Sequence, residues 1–324
     1  MPAQRQIAFL DVAARQETFA DAVIAGLSQR HKAIPCRFLY DERGSALFEA
    51  ICELPEYYVT RTEQQILERH APEIARRIGP GAQLIEFGSG ASIKVRTLLR
   101  SLVQPRTYLP IDISREQLRR TAQGIAEDFP TLEIVAVCAD YTDPFRLPPL
   151  PSAQGGQRVG FFPGSTIGNL TPSEATDFLA GCRSYLGPQS AMLVGVDLKK
   201  EPCVLNAAYN DSAGTTAEFI LNLLPRMNRE LGTDFAPERF EYEAFYNAEI
   251  GRVELYIRSR VDQIVAVGGT RIGFAAGERI LAEYSYKYGV EEFHRLAERG
   301  GYVGYDCWID PDRLFSVHYL MAAS

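Results

Sequence analysis

"AQLIEFGSG", residues 82–90, decides the fold. Ala82 to Phe87 is an apolar run of strand length, broken only by Gln83 and Glu86. It runs directly into the turn Gly88-Ser89-Gly90. A short buried strand that ends in a glycine turn is how a doubly wound α/β sheet begins. The first glycine lets the chain turn, and the second lets the backbone approach a ligand. The dinucleotide pattern GxGxxG requires a third glycine where Ile93 stands, which argues against NAD.

The alternation continues outward from this turn. A helix is expected at about 93–103, a strand at 107–114 ending in Asp112, a helix over 115–128, and a strand at 132–141 ending in Asp140. "RVGFFPGS" (158–165) reads as a fourth strand and "AMLVGVDL" (191–198) as a fifth. Between them, 171–187 is a helix with marked ends. Thr171 is the N-cap, Pro172 the first helical residue, Glu174 completes a capping box, and Gly187 is the stop. Near-continuous apolar strands between amphipathic helices imply a parallel sheet covered on both faces, hence a Rossmann-like doubly wound α/β fold.

Elsewhere the pattern differs. Residues 12–30 and 61–78 have helical periodicity, and 202–231 is largely helical. Residues 240–267 read as a hairpin turning near Ile250-Gly251. The chain closes with a helix at 290–301 and two strands, "YVGYDCWID" and "RLFSVHYLMA". Residues 200–285 therefore interrupt the nucleotide-binding pattern. The division expected is 60–199 plus 286–324 as the cofactor domain, and 1–59 plus 200–285 as an α+β substrate-binding lobe.

Bulk properties exclude several classes. A net charge of −7 argues against broad nucleic-acid binding, which needs a basic footprint. No apolar run reaches membrane-span length, and the N-terminus lacks the charged start and apolar run of a signal peptide. The six cysteines form no CxxC pair, and the four histidines form no HxxxH or HxH, so neither zinc nor a disulfide framework is expected. A reduced, cytoplasmic, monomeric, metal-free protein is the expectation.

The carboxylates locate the ligand. Asp112 and Asp140 end the second and third strands, at the carboxyl edge where doubly wound sheets bind ligands. A carboxylate at the second strand can accept both ribose hydroxyls. One at the third, beside Tyr141, can receive an adenine amino group. A nucleoside without phosphates fits better than a dinucleotide. Lys94 follows the turn and either meets a ligand carboxylate or is solvated. The alternative role for each aspartate is a turn or N-cap residue.

A second feature is "EYSYKY", residues 283–288. Read with a period of two, Glu283, Ser285 and Lys287 share one face, and Tyr284, Tyr286 and Tyr288 the other. The polar face is either wet or lines a site; the tyrosines are expected to pack the lobe's core.

"LPEYYVTRTE" (54–63), "IEFGSGASIK" (85–94), "PIDIS" (110–114), "FFPGSTIGNLTP" (161–172), "AYNDSAGTTAEF" (208–219) and "LAEYSYKY" (281–288) carry a resemblance. In order and spacing the chain resembles the histidine Nα-methyltransferases of ergothioneine biosynthesis over essentially its whole length. The closing helix and hairpin fit a class I methyltransferase sheet. The resemblance implies S-adenosylmethionine as methyl donor and three methylations of the α-amino group of L-histidine, giving hercynine. It implies cofactor contacts at Gly88, Lys94, Asp112, Asp140 and Tyr141. Asn169 and Tyr209 are then expected to orient the amino-acid end of histidine, while Tyr57, Glu283 and Ser285 hold the imidazole. The segment around Leu255 is expected to line the same site. The alternatives are methylation of tryptophan or tyrosine, an NAD-linked oxidoreductase, and a non-catalytic nucleoside-binding module.

Overall fold

The structure, a computed structural model, describes residues 7–12, 17–90, 93–142 and 156–323. Ala91 and Ser92, just after the glycine turn, and residues 13–16 of the first expected helix lie outside the described residues.

The chain opens with a strand, β1 (Ala8–Asp11), then α1 (Phe19–Leu27), the two-residue β2 (Lys32–Ala33), α2 (Glu42–Cys52) and α3 (Tyr58–Ile78). The caps are legible: Thr18 accepts the Asp21 N–H at α1, and Asp41 accepts the Gly44 N–H at α2. The alternating region gives β3 (Gln83–Phe87), α4 (Ile93–Ser101), β4 (Thr107–Asp112), α5 (Arg115–Asp128), β5 (Glu133–Cys138), β6 (Arg158–Phe162), α6 (Pro172–Leu186) and β7 (Ala191–Asp197). Helix α6 has the expected ends: the Thr171–Glu174 capping box is formed on both sides, and Gly187 stops it at φ +88°. Three helices follow, α7 (Pro202–Tyr209), α8 (Thr215–Leu221) and α9 (Leu223–Leu231). Then come β8 (Phe240–Asn247), β9 (Arg252–Ser259), β10 (Gln263–Val267), β11 (Thr270–Phe274) and β12 (Arg279–Tyr286), and finally α10 (Val290–Arg299), β13 (Tyr302–Ile309) and β14 (Phe315–Ala322).

These elements form two units, residues 1–16, 59–198 and 288–324 in the first, and 17–58 and 199–287 in the second. The sheet of the first unit has the order β1-β5-β4-β3-β6-β7-β14-β13. Strands β5 through β7 are parallel; β14 runs antiparallel between β7 and β13. The chain winds outward from β3 through β4 to β5, then returns to β6 on the other side of β3. The order reverses at β3, so the glycine turn sits at the switch point. Every residue of β3 and β7 is buried, as a sheet covered on both faces requires.

One segment departs from the expected division. Residues 1–59 are expected in the second lobe, yet β1 pairs in parallel with β5, Ala8 opposite Val135 through Asp11 opposite Cys138. Phe9 lies under the Arg119 guanidinium, 4.9 Å from the ring centroid, which anchors this edge. A four-residue edge strand has too few periods to register in the sequence.

The second unit holds a four-stranded sheet, β2-β12-β9-β8. Gly251, φ +79°, makes the β8–β9 turn at the expected place. The hairpin expected over 240–267 ends earlier than that, at Ser259. Gln263–Val267 instead pairs with Thr270–Phe274 across Gly268-Gly269. Among the described residues no helix is long and apolar enough to cross a membrane.

Candidate active site

In the first unit the glycine turn is open backbone. Gly88 has φ +80°, where a side chain is strained. A Cβ there would lie 3.4 Å from the Tyr141 ring, so any side chain would fill the space beneath that ring. Thr121 of α5 donates to the Ser89 and Gly90 carbonyls at 3.4 and 3.2 Å and holds the turn in place. Ser89 Oγ is buried without a hydrogen-bond partner among the described residues.

Asp112 ends β4. Its Oδ1 accepts the Ser114 N–H at 2.8 Å, and the N–H groups of Ser89 and Ile113 also reach the carboxyl. Burial outweighs these donors and pushes the group up to about 6. Asp140 is a turn residue as well: its Oδ1 accepts the Thr142 N–H at 2.9 Å and hydroxyl at 2.6 Å. The Tyr141 ring is fixed edge-on against Phe162 and Phe178, with centroids 5.7 and 6.2 Å away. Open backbone, a tyrosine ring above it and a half-desolvated carboxylate on the next strand fit a nucleoside.

Lys94 is neither solvated nor alone. Its Nζ is ion-paired with Glu63 of α3, whose side chain is fully buried. Glu63 Oε2 also accepts the Gly164 N–H at 2.8 Å, and Oε1 has no hydrogen-bond partner among the described residues. One buried carboxylate thus ties α3 to α4 and to the turn after β6. In that turn Gly164 and Ser165 are both left-handed, φ +82° and +56°. Ser165 is held there by the Asp197 N–H, which donates to its Oγ at 3.0 Å. The strained turn leads into a short 3-10 helix, Thr166–Asn169, that carries half-buried Asn169.

The second unit holds Tyr57, Tyr209, Glu283 and Ser285, whereas Asn169 belongs to the first. Tyr57 and Tyr209 meet edge-on, ring centroids 6.1 Å apart. Tyr209 ends α7, and its carbonyl accepts the Tyr242 hydroxyl at 2.6 Å. The motifs "LPEYY" and "AYNDSAG" are tied by Glu56, which accepts the Ser212 N–H and hydroxyl at 3.2 and 2.7 Å. On β12, Glu283 stands opposite Leu255 and Ser285 opposite Val253. Leu255 is buried, on the face shared with Glu283.

The polar face of "EYSYKY" is not a wet face. Ser285 is 4% exposed and Lys287 1%. Burial first, and then the Glu283 carboxylate, pushes the Cys36 thiol up to about 12. Burial likewise holds the Tyr57 and Tyr242 phenols well above their ordinary range, with Glu283 contributing. The tyrosines divide differently from the expectation of one core. Tyr284 and Tyr286 pack against each other with the Arg252 guanidinium 4.9 and 5.3 Å from their centroids. Tyr288 belongs to the first unit, beside Phe293.

A sheet of this order, closed by an antiparallel hairpin and carrying an open glycine turn at its switch point, is that of a class I S-adenosylmethionine-dependent methyltransferase. The chain belongs to the histidine-specific, S-adenosylmethionine-dependent methyltransferase family, whose model matches residues 19–322. It is 40% identical to a histidine N-alpha-methyltransferase of Mycolicibacterium smegmatis, over 89% of this chain and 90% of that one. It is 37% identical to ergothioneine biosynthesis protein 1 of Neurospora crassa, over 83% of this chain and 31% of that longer protein. A crystal structure from Thermobifida fusca, assigned to the methyltransferases, shares the fold. Its TM-score is 0.50 at 14% identity, covering 92% of this chain and 98% of that one.

Two residues with evident roles in the geometry, Glu63 and Lys287, have no function in the sequence reading. Gly195 is the signal for the first. A glycine inside a fully buried strand marks a close approach, and a Cβ there would lie 2.0 Å from Glu63 Oε1.

Proposed function

We propose that the protein transfers three methyl groups in turn from S-adenosylmethionine to the α-amino group of L-histidine. The product is hercynine, formed through the mono- and dimethyl amino acids, in the first step of ergothioneine biosynthesis. The observation that carries the substrate reading is the polar face of β12, where half-buried Glu283 is followed by buried Ser285, whose Oγ is bridged to the buried Tyr209 hydroxyl by the Lys287 ammonium. The family membership and the relatives' names support the same reading.

The assignments follow the chemistry of each group. Gly88 gives the nucleoside its close approach, Asp112 accepts the ribose hydroxyls, and Asp140 with Tyr141 takes the adenine. Lys94, oriented by Glu63, meets the carboxylate of the donor; one of its three N–H donors is spent on Glu63. Asn169 and Tyr209 orient the amino-acid end of histidine. Tyr57, Glu283 and Ser285 hold its ring.

S-adenosylmethionine supplies a methyl group already activated on a sulfonium. The protein's contribution is therefore orientation, holding a neutral amine in line with the S–CH₃ bond at about 3 Å. No strong general base is assigned, since the substrate ammonium can lose its proton to water. Tyr209, at the amino-acid end, presents ring surface that favours an amine becoming a fixed cation, as it does at the third transfer.

The experiment offers histidine, tryptophan and tyrosine with S-adenosylmethionine and reads the products by mass spectrometry. Histidine is expected to gain one, two and then three methyl groups. A preference for either other amino acid moves the assignment to that substrate, and cofactor binding without turnover makes the protein a binding module.

A pH dependence follows from Asp112, whose carboxyl sits at about 6 in the unliganded protein. Only the ionised form accepts from both ribose hydroxyls. Binding of S-adenosylhomocysteine is then at its strongest above about pH 7 and weakens by about tenfold per pH unit well below about pH 6. Calorimetric titration across that range checks this, and a flat profile removes Asp112 from the ribose.

A further inference from the structure

Lys287 is the deepest ionisable side chain of the second unit. It is 1% exposed, and its Nζ donates to Tyr209 Oη and to Ser285 Oγ, each at 2.8 Å. Its own N–H donates to the Gly251 carbonyl at 2.9 Å, which holds the end of β12 in register. The side chain lies on the Glu283–Ser285 face, where the period of two continues past the end of the strand.

An ammonium has three N–H donors and no acceptor. A hydroxyl that accepts from it has one hydrogen left, and that hydrogen must point away from the lysine. A single buried cation therefore turns two hydroxyls into donors facing elsewhere. Glu283, two residues before Ser285 on the same face, is a carboxylate and acts as an acceptor.

We infer that Lys287 is a positioning residue that sets the hydrogen-bond polarity of the ring-reading face, making Ser285 a donor beside the acceptor Glu283, and Tyr209 a donor toward the substrate carboxylate. The inference rests on the histidine reading and deepens it. A neutral imidazole has one N–H and one bare nitrogen, and it matches an acceptor and a donor placed side by side. An indole or a pyrrole has the N–H alone. It leaves the hydrogen of the Ser285 hydroxyl buried without an acceptor, which is the strongest form of discrimination a small site has. On this account the preference for histidine depends on a cation that does not have to touch the ring.

The test uses the full chain with histidine, tryptophan and a pyrrolyl-alanine, in the native protein and in Lys287→Met and Lys287→Gln. The native protein is expected to prefer histidine over the pyrrole in kcat/KM by about tenfold to a hundredfold. In both variants that ratio is expected to collapse to within a few fold, because Ser285 is then able to turn its hydrogen. The KM for histidine is expected to rise by about tenfold or more, while the affinity for S-adenosylhomocysteine stays unchanged. A merely structural lysine lowers activity on all three substrates alike and leaves the ratio where it was; that result overturns the proposal. Should neither variant fold, equal use of histidine and the pyrrole by the native protein also overturns it. Failure of the native protein to methylate histidine at all sinks the functional reading itself, an outcome distinct from either of these.

Discussion

Asp112→Ala is expected to weaken S-adenosylmethionine binding by about two orders of magnitude, roughly 3 kcal/mol. Two ribose hydroxyls donating to one carboxylate are charge-assisted bonds, each contributing about 1.5–3 kcal/mol. Part of that is offset, because burial already disfavours the charged form in the unliganded protein. The alanine also removes the acceptor for the Ser114 N–H, which steadies the start of α5. Asp112→Asn separates the two effects. An amide oxygen still accepts from Ser114 but has neither the charge nor the second acceptor, so the fold is kept and most of the binding is lost. Calorimetric titration of both variants, with melting curves to verify folding, is the measurement. Affinity within threefold of native in Asp112→Asn would show that the carboxylate serves only its own turn at Ser114.

The legible part of this protein is the part where one rule governs a long stretch. Parallel strands covered on both faces read as apolar runs, so β3 to β7 are found where expected, and the capping box of α6 is local chemistry that the structure reproduces. β4 ends at Asp112 as expected, whereas β5 ends at Cys138 and leaves Asp140 two residues further on, in the turn; topology alone places both at the ligand edge. The unread parts depend on partners distant in sequence. Strand β1 exists only because β5 offers it an open edge. The Gly268-Gly269 turn is a hairpin signal in itself, but the alternation of β9 and β10 masks the break between them. Lys94 reads as a ligand contact or a solvated lysine, and its pairing with Glu63 goes unread because that carboxylate is 31 residues away. Lys287 misleads for a general reason. Lysines are rarely buried, and only the meeting of α7 with β12 supplies the two oxygens that let this one be so.

The complementary test is at the ring end of the substrate. Glu283→Ala is expected to raise the KM for histidine by about thirtyfold or more, ~2 kcal/mol, the scale of a lost charge-assisted hydrogen bond. At saturating histidine, kcat is expected to stay within a few fold, because the ring lies several bonds from the amine that receives the methyl group. Affinity for the cofactor is expected to be unchanged, since Asp112 and Tyr141 belong to the other unit. The substitution leaves Leu255, the cross-strand partner, in place, so the sheet itself has little to rearrange. Removing the carboxylate also removes an influence that raises the Cys36 thiol and the Tyr57 and Tyr242 phenols. Burial is the larger cause at all three, so they stay neutral near pH 7 and add no new charge to the site. Glu283→Gln discriminates further. Its amide can still accept one N–H, so it recovers part of the affinity if the ring nitrogen donates there, and none if Glu283 acts only as a distant charge. An unchanged KM in Glu283→Ala would take the imidazole off β12 altogether and leave the buried polar face of that strand without a substrate.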